Sequence, residues 1–327
     1  MPGPDAGPQG RGPECPPRSP RTCVGPCLRL QYRLLCGSAS ALVKSSIRQI
    51  RYSSSPVGVH PEKGGPVIES KVKKLLSAGA VAWGASLPDA SDLIAKLTVN
   101  VGVDFLWLDL EHRSFEIEAV KWIPIICRMR GCTPLVRVAG LDSQLIKKAL
   151  DAGASAVMVP QVDNADKARR AVEYAKYPPQ GTRGCSPLWT TFMDVSYDEY
   201  LPAANDETCV VVQVESPEAI RCVEEIAAVD GVDVVFAGPL DLSAALGHIG
   251  RTDHPAVQQF LADFPARVAG CGKASGITVV GFDSAAHRYA QGYRFISFGS
   301  LITHGMAGLA ADLARLRALE AAGPTRG

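Results

Sequence analysis

The chain has 327 residues, of which 46% are hydrophobic and 20% charged, so it can bury one large core or two ordinary ones. Its net charge of +1 is unevenly distributed: residues 1–52 carry eight basic and two acidic side chains, leaving 26 basic and 31 acidic residues beyond them. A mildly acidic remainder argues against nucleic acid as the partner. No apolar run approaches the roughly 20 residues of a membrane span, so we expect a soluble protein without a membrane partner.

The cysteines do not form a recognisable framework. Four of the ten fall within residues 1–52, and the other six contain no C-x-x-C pair. We therefore expect reduced thiols, with neither a structural zinc site nor disulfides.

Residues 1–64 are interpreted as a disordered extension or a transit peptide. The first 25 residues are rich in Pro and Gly, and residues 28–52 combine Arg, Ser and aliphatic side chains without an acid, ending near a plausible processing site at Arg51. This composition predicts import into the mitochondrial matrix. The alternatives are a disordered extension without a targeting signal or a mis-assigned start codon, and either would leave the protein cytoplasmic. We expect the folded domain at residues 65–320 and a flexible tail at 321–327.

Eight short apolar or β-branched runs alternate with amphipathic segments after residue 67. Eight such alternations over about 240 residues are typical of a TIM (β/α)8 barrel, and no Gly-x-Gly-x-x-Gly follows the first run, as a Rossmann domain would require. The predicted strands are 81–87, 105–110, 134–138, 156–160, 210–215, 232–238, 276–280 and 295–299. The predicted helices include 115–130, 142–152, 163–175, 217–229, 255–269 and 284–291.

One connection is unusually long. Residues 177–205 separate the fourth predicted helix from the fifth strand. Because long insertions on a barrel are usually functional, we expect a lid or an oligomer contact.

Polar residues stand at the ends of several predicted strands. Asp109 and His112 follow the second strand, Arg137 lies in the third, Gln213 and Glu215 end the fifth, and Asp241 follows the sixth. Carboxyl ends of barrel strands converge on one rim, where catalytic residues sit. Two carboxylates there, Glu215 and Asp241, can chelate one hard divalent cation.

Each of these positions also has a structural interpretation. Arg137 either pairs with a neighbour such as Glu111 or binds a substrate anion, and we favour the anion. Glu215 and Asp241 can instead be salt-bridged to Arg137 without a metal, and His112 can be a structural hydrogen-bonding residue.

Several chemistries lose support because their residues are missing. None of the eight predicted strands contains the Lys that a Schiff-base aldolase needs, and Lys273 precedes the seventh strand at its wrong end. The chain also lacks a Gly-x-Ser-x-Gly elbow and a P-loop.

The chain resembles the HpcH/HpaI aldolase family of the phosphoenolpyruvate/pyruvate superfamily over about residues 67–316. The similarity lies in Trp107-Leu108-Asp109-Leu110-Glu111-His112, Leu135-Val136-Arg137-Val138, Leu150-Asp151-Ala152-Gly153-Ala154, Val159-Pro160-Gln161-Val162, Tyr177-Pro178-Pro179-Gln180-Gly181-Thr182-Arg183-Gly184, Gln213-Val214-Glu215-Ser216 and Gly238-Pro239-Leu240-Asp241-Leu242-Ser243.

This resemblance implies a metal-dependent pyruvate aldolase acting on a small 2-oxo acid and an aldehyde. Glu215 and Asp241 would hold Mg²⁺, Mn²⁺ or Co²⁺. The resemblance further implies that Arg137 stabilises the enolate oxygen, that His112 is the acid/base, and that the keto acid is bound by Gln213, Gly238, Pro239, Leu240 and Asp241.

The residue that orients His112 has two candidates. Asp109 lies on the same strand end, whereas Asp151 matches a family position credited with raising the histidine's basicity. Since Asp151 precedes the fourth strand, only a neighbouring subunit could present it; otherwise it is a turn residue before Gly153. The resemblance also implies a hexamer with an exchanged C-terminal helix, here residues 306–319.

Two departures from the family pattern concern the substrate pocket. Leu240 stands where smaller residues are common, and Cys185-Ser186-Pro187 replaces a more glycine-rich segment. The competing functions are an oxaloacetate decarboxylase or related lyase on the same site, a CoA-thioester lyase, and a catalytically silent scaffold.

Overall fold

The computed structural model describes residues 68–322, which form a closed barrel of eight parallel strands paired in sequence order from β1 to β8, with β8 returning to β1. The predicted (β/α)8 barrel is thereby confirmed. The strands are β1 Ala82–Ser86, β2 Phe105–Asp109, β3 Thr133–Arg137, β4 Ala156–Val159, β5 Cys209–Val214, β6 Val234–Ala237, β7 Ala274–Thr278 and β8 Phe295–Ser297.

Most of the helices lie against the outside of the barrel, whereas the first places Val72 in the inner cluster and the last is largely exposed. The helices are α1 Lys71–Ser77, α2 Asp92–Asn100, α3 Ile123–Arg128, α4 Ser143–Asp151, α5 Ala165–Ala175, α6 Trp189–Phe192, α7 Tyr197–Glu207, α8 Pro217–Arg221, α9 Val223–Ala227, α10 Pro239–Ala245, α11 Pro255–Ala269, α12 Phe282–Ala290 and α13 Leu301–Ala322. Between residues 68 and 322, no helix combines the length and apolar character needed to cross a membrane. The predicted transit peptide lies outside the described residues, and so does the tail after Ala322.

Aromatic rings close the barrel interior below its carboxyl end. Phe105 stacks on Phe295 with ring centroids 4.0 Å apart, and Trp107 meets Phe236 edge to face at 5.6 Å. Gly84 makes room for this layer, because a Cβ there would lie 2.2 Å from the Phe105 ring. The phenylalanine rings of this layer are fully buried. The polar end of β2, at Asp109, lies above the layer at the rim.

Three predicted elements are broken or shifted as a whole by two residues in the structure. The single helix expected at 217–229 is divided at Cys222 into α8 and α9. The single helix expected at 115–130 is divided into a 3-10 turn at Ile117–Val120 and α3, which has Pro124 in its first turn. Strand β7 begins two residues earlier than predicted, since pairing with β6 sets its register through Ala274 and Val234. Val280, predicted to end this strand, lies in the following loop and is 68% exposed.

The long insertion lies at the amino end of the barrel. It connects the end of α5 to the start of β5 and contains α6 and α7. Trp189 and Tyr200 form its small core, and the ring of Trp189 lies 3.9 Å from the guanidinium carbon of Arg128. Because the active face of such a barrel is the opposite end, the insertion does not cover its own barrel's mouth. Of the two expected roles, a lid on the same subunit is not observed, and an oligomer contact stays a prediction.

Candidate active site

A cavity of about 1010 Å³ opens at the carboxyl end of the barrel. Eight of the predicted site residues line it: Asp109, His112, Arg137, Gln213, Gly238, Pro239, Leu240 and Asp241. Glu215 is buried beside it, and Asp151 lies elsewhere. The convergence expected from the strand ends is therefore observed for all the predicted residues except Asp151.

Arg137 is held by two acidic residues of the β2 end. Its Nε and Nη2 donate to Asp109 Oδ1 and Oδ2 at 2.9 and 2.7 Å, and its Nη1 lies 3.0 Å from Glu111 Oε2 as an ion pair without hydrogen-bond geometry. The guanidinium carbon also lies 4.8 Å from the Trp107 ring centroid. Arg137 pairs with neither Glu215 nor Asp241, so the predicted alternative of a salt bridge to these two residues is not observed.

Gln213 joins the arginine to the buried carboxylate. Its Oε1 accepts from Arg137 Nη1 at 3.3 Å, while its Nε2 donates to Glu215 Oε2. The other oxygen of Glu215 accepts from the backbone N–H of Gln161 at 2.9 Å. Gln161 has a positive φ of 54°, a backbone conformation that is unfavourable for a non-glycine residue and is found preferentially at functional sites.

Burial and negative charge outweigh positive charge around Glu215, because the lowering effect of Arg137 on its pKa is the smallest of the causes. Burial raises the pKa of Glu215 to about 7, the Gln161 N–H opposes that shift, and the nearby carboxylates Asp241 and Glu111 add to it. A carboxylate in this state is stabilised as an anion when a cation binds beside it. The donor chemistry therefore fits a hard divalent metal ion.

Gly238 keeps space open beside these groups. A Cβ on Gly238 would lie 2.7 Å from Gln213 Nε2 and 3.0 Å from Glu215 Oε2. The residue is also the N-cap of α10, which carries Asp241 in its first turn. Leu240 lines the cavity but is 61% exposed, so it borders the mouth and does not fill the charged centre.

His112 lies in the loop after β2, with its side chain 59% exposed and Nε2 3.7 Å from Glu111 Oε2. Asp109 does not contact the imidazole. Its Oδ1 accepts the backbone N–H groups of Glu111 and His112 at 3.1 and 3.3 Å and also binds Arg137. Within this subunit, Asp109 therefore shapes the loop that carries His112, and Glu111 is the acid nearest to the ring.

Asp151 ends α4 at the amino end of the barrel, as expected from its position before β4. Its Oδ1 accepts from Nη2 of the buried Arg183 at 2.7 Å. Burial raises the pKa of Asp151 and Arg183 opposes the shift. Asp151 does not reach His112 of its own subunit, and Arg183 attaches the insertion to α4.

Three residues of the charged centre were not predicted as part of it. Glu111, expected only as the structural alternative for pairing with Arg137, does form that ion pair. Trp107 lines the cavity with its face near Arg137, and Gln161 supplies the N–H to Glu215. The alternation of inward residues on β2 could have identified Trp107, because it shares a face with Asp109. The contribution of Gln161 depends on its backbone conformation, and no residue type signals it.

The comparisons with known proteins agree with this geometry. The family described as HpcH/HpaI aldolase/citrate lyase matches residues 84–305. A 2-dehydro-3,6-dideoxy-6-sulfogluconate aldolase from Pseudomonas putida is 38% identical over 226 residues, covering 69% of this chain and 89% of the relative. A 4-hydroxy-2-oxovalerate aldolase from Rhodococcus jostii is 37% identical over 236 residues, covering 72% and 91%.

A solved structure extends the likeness to three dimensions. The crystal structure of an HpcH/HpaI aldolase/citrate lyase family protein from Burkholderia cenocepacia superposes with a TM-score of 0.69 at 32% identity, covering 76% of this chain and 99% of that one. The chain therefore belongs to the HpcH/HpaI aldolase/citrate lyase family of carbon–carbon lyases.

Proposed function

We propose that the protein cleaves and forms 4-hydroxy-2-oxo acids by a metal-dependent aldol reaction through the enolate of pyruvate. The observation that carries this proposal is the continuous polar chain Asp109–Arg137–Gln213–Glu215 at the carboxyl rim. It joins a fixed guanidinium to the buried carboxylate of Glu215. The relatives named above are aldolases of oxo acids, in agreement with this chemistry.

Glu215 and Asp241 would hold the divalent metal ion. Across residues 68–322, no group of three or more His, Cys, Asp or Glu side chains is arranged to hold a metal, so the protein would supply these two carboxylates only. Mg²⁺ and similar ions are commonly bound by one or two carboxylates, with water and substrate completing the shell. When bound, the ion acts as a Lewis acid on the 2-oxo acid.

In the cleavage direction, the C3–C4 bond breaks and its electron pair moves toward C3 and the 2-oxo oxygen, giving the enolate of pyruvate and an aldehyde. Arg137 stabilises the charge that develops on this oxygen, since Asp109 already fixes its guanidinium and little reorganisation is needed. Gln213 contributes a second polar group on the keto-acid side.

His112 accepts the proton of the 4-hydroxyl group, directly or through water, and the enolate is then protonated at C3. Its exposed position at the mouth allows proton exchange with solvent. Glu111 is placed to stabilise the imidazolium, because its carboxylate lies 3.7 Å from Nε2.

Assembly is the second part of the proposal. Apolar side chains recur along α13 at three- and four-residue spacing, and they are exposed: Met306, Leu309, Leu313 and Leu316. Leu93, Leu97 and Val101 form a similar exposed stripe along α2 and at its C-cap. We propose that α13 of one subunit covers this stripe on another within a hexamer, which would also bring Asp151 to His112 of a neighbour.

The third part of the proposal concerns the amino-terminal extension. We propose that residues 1–52 direct the protein to the mitochondrial matrix. Fusing residues 1–64 to a fluorescent protein tests this, since the fusion should enter mitochondria and a fusion with Arg29, Arg33 and Arg48 replaced by Glu should not.

Assays of pyruvate release test the reaction. Purified protein freed of metal is offered 4-hydroxy-2-oxo acids and oxaloacetate, with and without Mn²⁺. We expect Mn²⁺-dependent cleavage of the hydroxy-oxo acids and its loss in Glu215→Gln and Asp241→Asn. Turnover of oxaloacetate alone would instead identify a decarboxylase, and full activity with chelator would contradict the metal dependence. Calorimetric titration with Mn²⁺ gives an independent measure of binding in each variant.

A further inference from the structure

The cavity extends well beyond the charged centre. Its lining continues from the barrel mouth to Gln258 and Leu261 of α11 and to His287 and Arg288 of α12. At about 1010 Å³ it stands at the upper end of typical small-molecule sites. A pyruvyl group at Arg137 and Gln213 fills only part of this volume, so the extension toward α11 and α12 is free to receive the aldehyde half of a substrate.

Arg288 contributes a buried positive charge to this extension. The residue is 7% exposed and lines the cavity. Its Nη1 donates to Gln291 Oε1 at 2.7 Å and its Nη2 to Gln258 Oε1 at 2.8 Å. Both acceptors are neutral amides. They occupy two of the five N–H groups of the guanidinium and carry no charge of their own.

Two of the three other buried arginines of the barrel have anionic partners, and the third, Arg128, donates to the backbone carbonyls of Gly153 and Ala154. Arg137 pairs with Asp109 and Glu111, and Arg183 pairs with Asp151. Within residues 68–322, no carboxylate forms an ion pair with Arg288, and burial lowers its pKa while the Tyr293 hydroxyl opposes the shift. Since a buried guanidinium is costly without an anion, the ligand itself is the natural source of that charge.

We propose that Arg288 binds an anionic group at the distal end of the substrate's aldehyde half. This assignment rests on the proposed aldolase function and narrows its substrates to 4-hydroxy-2-oxo acids that carry a second acidic group, a carboxylate or a sulfonate, remote from the cleaved bond. The neutral amides of Gln258 and Gln291 hold the guanidinium in place without competing for its charge.

The competing explanation is that Arg288 only ties α11 to α12. Substrates that differ at the distal end separate the two roles: 4-hydroxy-2-oxo-heptane-1,7-dioate has a distal carboxylate, and 4-hydroxy-2-oxovalerate ends in a methyl group. Steady-state cleavage of both acids is measured for the wild-type protein and for Arg288→Met, which keeps the length and apolar stem of the side chain. Arg267→Met is the matched control, because Arg267 ties α11 to Glu224 of α9 and does not line the cavity.

We expect wild-type protein to prefer the dioate. In Arg288→Met, kcat/KM for the dioate should fall about 10- to 100-fold, mostly through an increase in KM. This fold-change corresponds to the loss of one charge-assisted hydrogen bond. In the same variant, kcat/KM for the valerate should stay within about threefold of wild type, and the inhibition constant of pyruvate should be unchanged. The control Arg267→Met should keep the wild-type preference for the dioate.

Equal losses on both acids in Arg288→Met, or a wild-type protein that cleaves both acids without preference, would overturn the assignment of Arg288 and leave the aldolase function standing. Failure of the wild-type protein to cleave either acid in the presence of Mn²⁺ would overturn the proposed function and this inference together.

Discussion

The carboxylate of Asp109 and the guanidinium of Arg137 meet edge to edge, with Nε 2.9 Å from Oδ1 and Nη2 2.7 Å from Oδ2. Burial alone would raise the pKa of Asp109, but the hydrogen bonds and charge of Arg137 keep it below its ordinary value. Both residues end paired strands at the same level of the barrel, since Asp109 lies opposite Arg137 in the register of β2 and β3. The arginine is thus oriented before any substrate arrives.

Replacing Arg137 by Lys should lower kcat by about 100- to 1,000-fold, because an ammonium cannot keep both bonds to Asp109 and still face the developing oxyanion. The measurement is the exchange of the pyruvate methyl protons in deuterated water, followed by NMR. Exchange at the wild-type rate would contradict the role assigned to Arg137.

The unusual pKa of Glu215 predicts a pH dependence of stability in metal-free protein. The folded-state pKa of about 7 lies above the ordinary value of 4.5, so the contribution of Glu215 to stability is fully present at low pH and is lost as pH rises from about 4.5 to 7. By linkage the loss amounts to at most about 3 kcal/mol.

Chemical denaturation at pH 5 and pH 8 measures this loss against Glu215→Gln, in which the group no longer titrates. The stability difference between wild type and variant should shift in favour of the variant at pH 8. Mn²⁺ should restore stability to the wild type only. Parallel pH profiles for the two proteins would show that Glu215 keeps an ordinary pKa.

Gly238→Ala should weaken metal binding about tenfold or more, because the new methyl group forces the Gln213 amide and the Glu215 carboxylate to move. Calorimetric titration with Mn²⁺ is the direct measurement. Gly140→Ala is the matched control, since no atom lies within 4 Å of the added Cβ at that position after β3. Equal Mn²⁺ affinity in both variants would show that the space at Gly238 does not matter for the site.

Asp151 is predicted to complete the active site of a neighbouring subunit. Mixed His112→Ala and Asp151→Asn subunits, each inactive alone, should recover part of the activity, because some hybrid sites combine two intact residues. Asn is chosen over Ala because it still offers an oxygen to the buried Arg183. If subunit exchange is verified and activity does not return, Asp151 has only the structural role of binding Arg183.

The sequence was sufficient to predict the barrel and most of the polar residues at its carboxyl rim. Runs such as 105–110 and 210–215 predict strands because apolar residues continue on both faces, and the carboxyl-end rule then brings Arg137, Gln213 and Asp241 together. The start of β7 was not predictable in the same way, since Ala274 and Ser275 join the sheet through pairing with β6 and not through their own apolar character.

Contacts between residues that are remote in the sequence could not be predicted either. The N–H of Gln161 reaches Glu215 because β4 and β5 pair with Val159 opposite Val212 and because Gln161 adopts a positive φ. Asp109 was one of two candidates for the partner of the His112 ring, yet its oxygens bind Arg137 and the loop backbone. An inventory of residue types cannot tell which of several nearby groups a carboxylate will bind.

The aromatic layer of Phe105, Phe295 and Phe236 beneath Trp107 gives the site a single open side. These three phenylalanine rings are fully buried, so neither water nor a reactant can approach from below. When the plane of the pyruvate enolate lies along this layer, an aldehyde and a proton reach C3 from the same direction. With pyruvate labelled by hydrogen isotopes at its methyl carbon, we expect protonation and aldol addition at C3 to give a single configuration. Because the closed end of the barrel sets this configuration, it should be the same for every aldehyde.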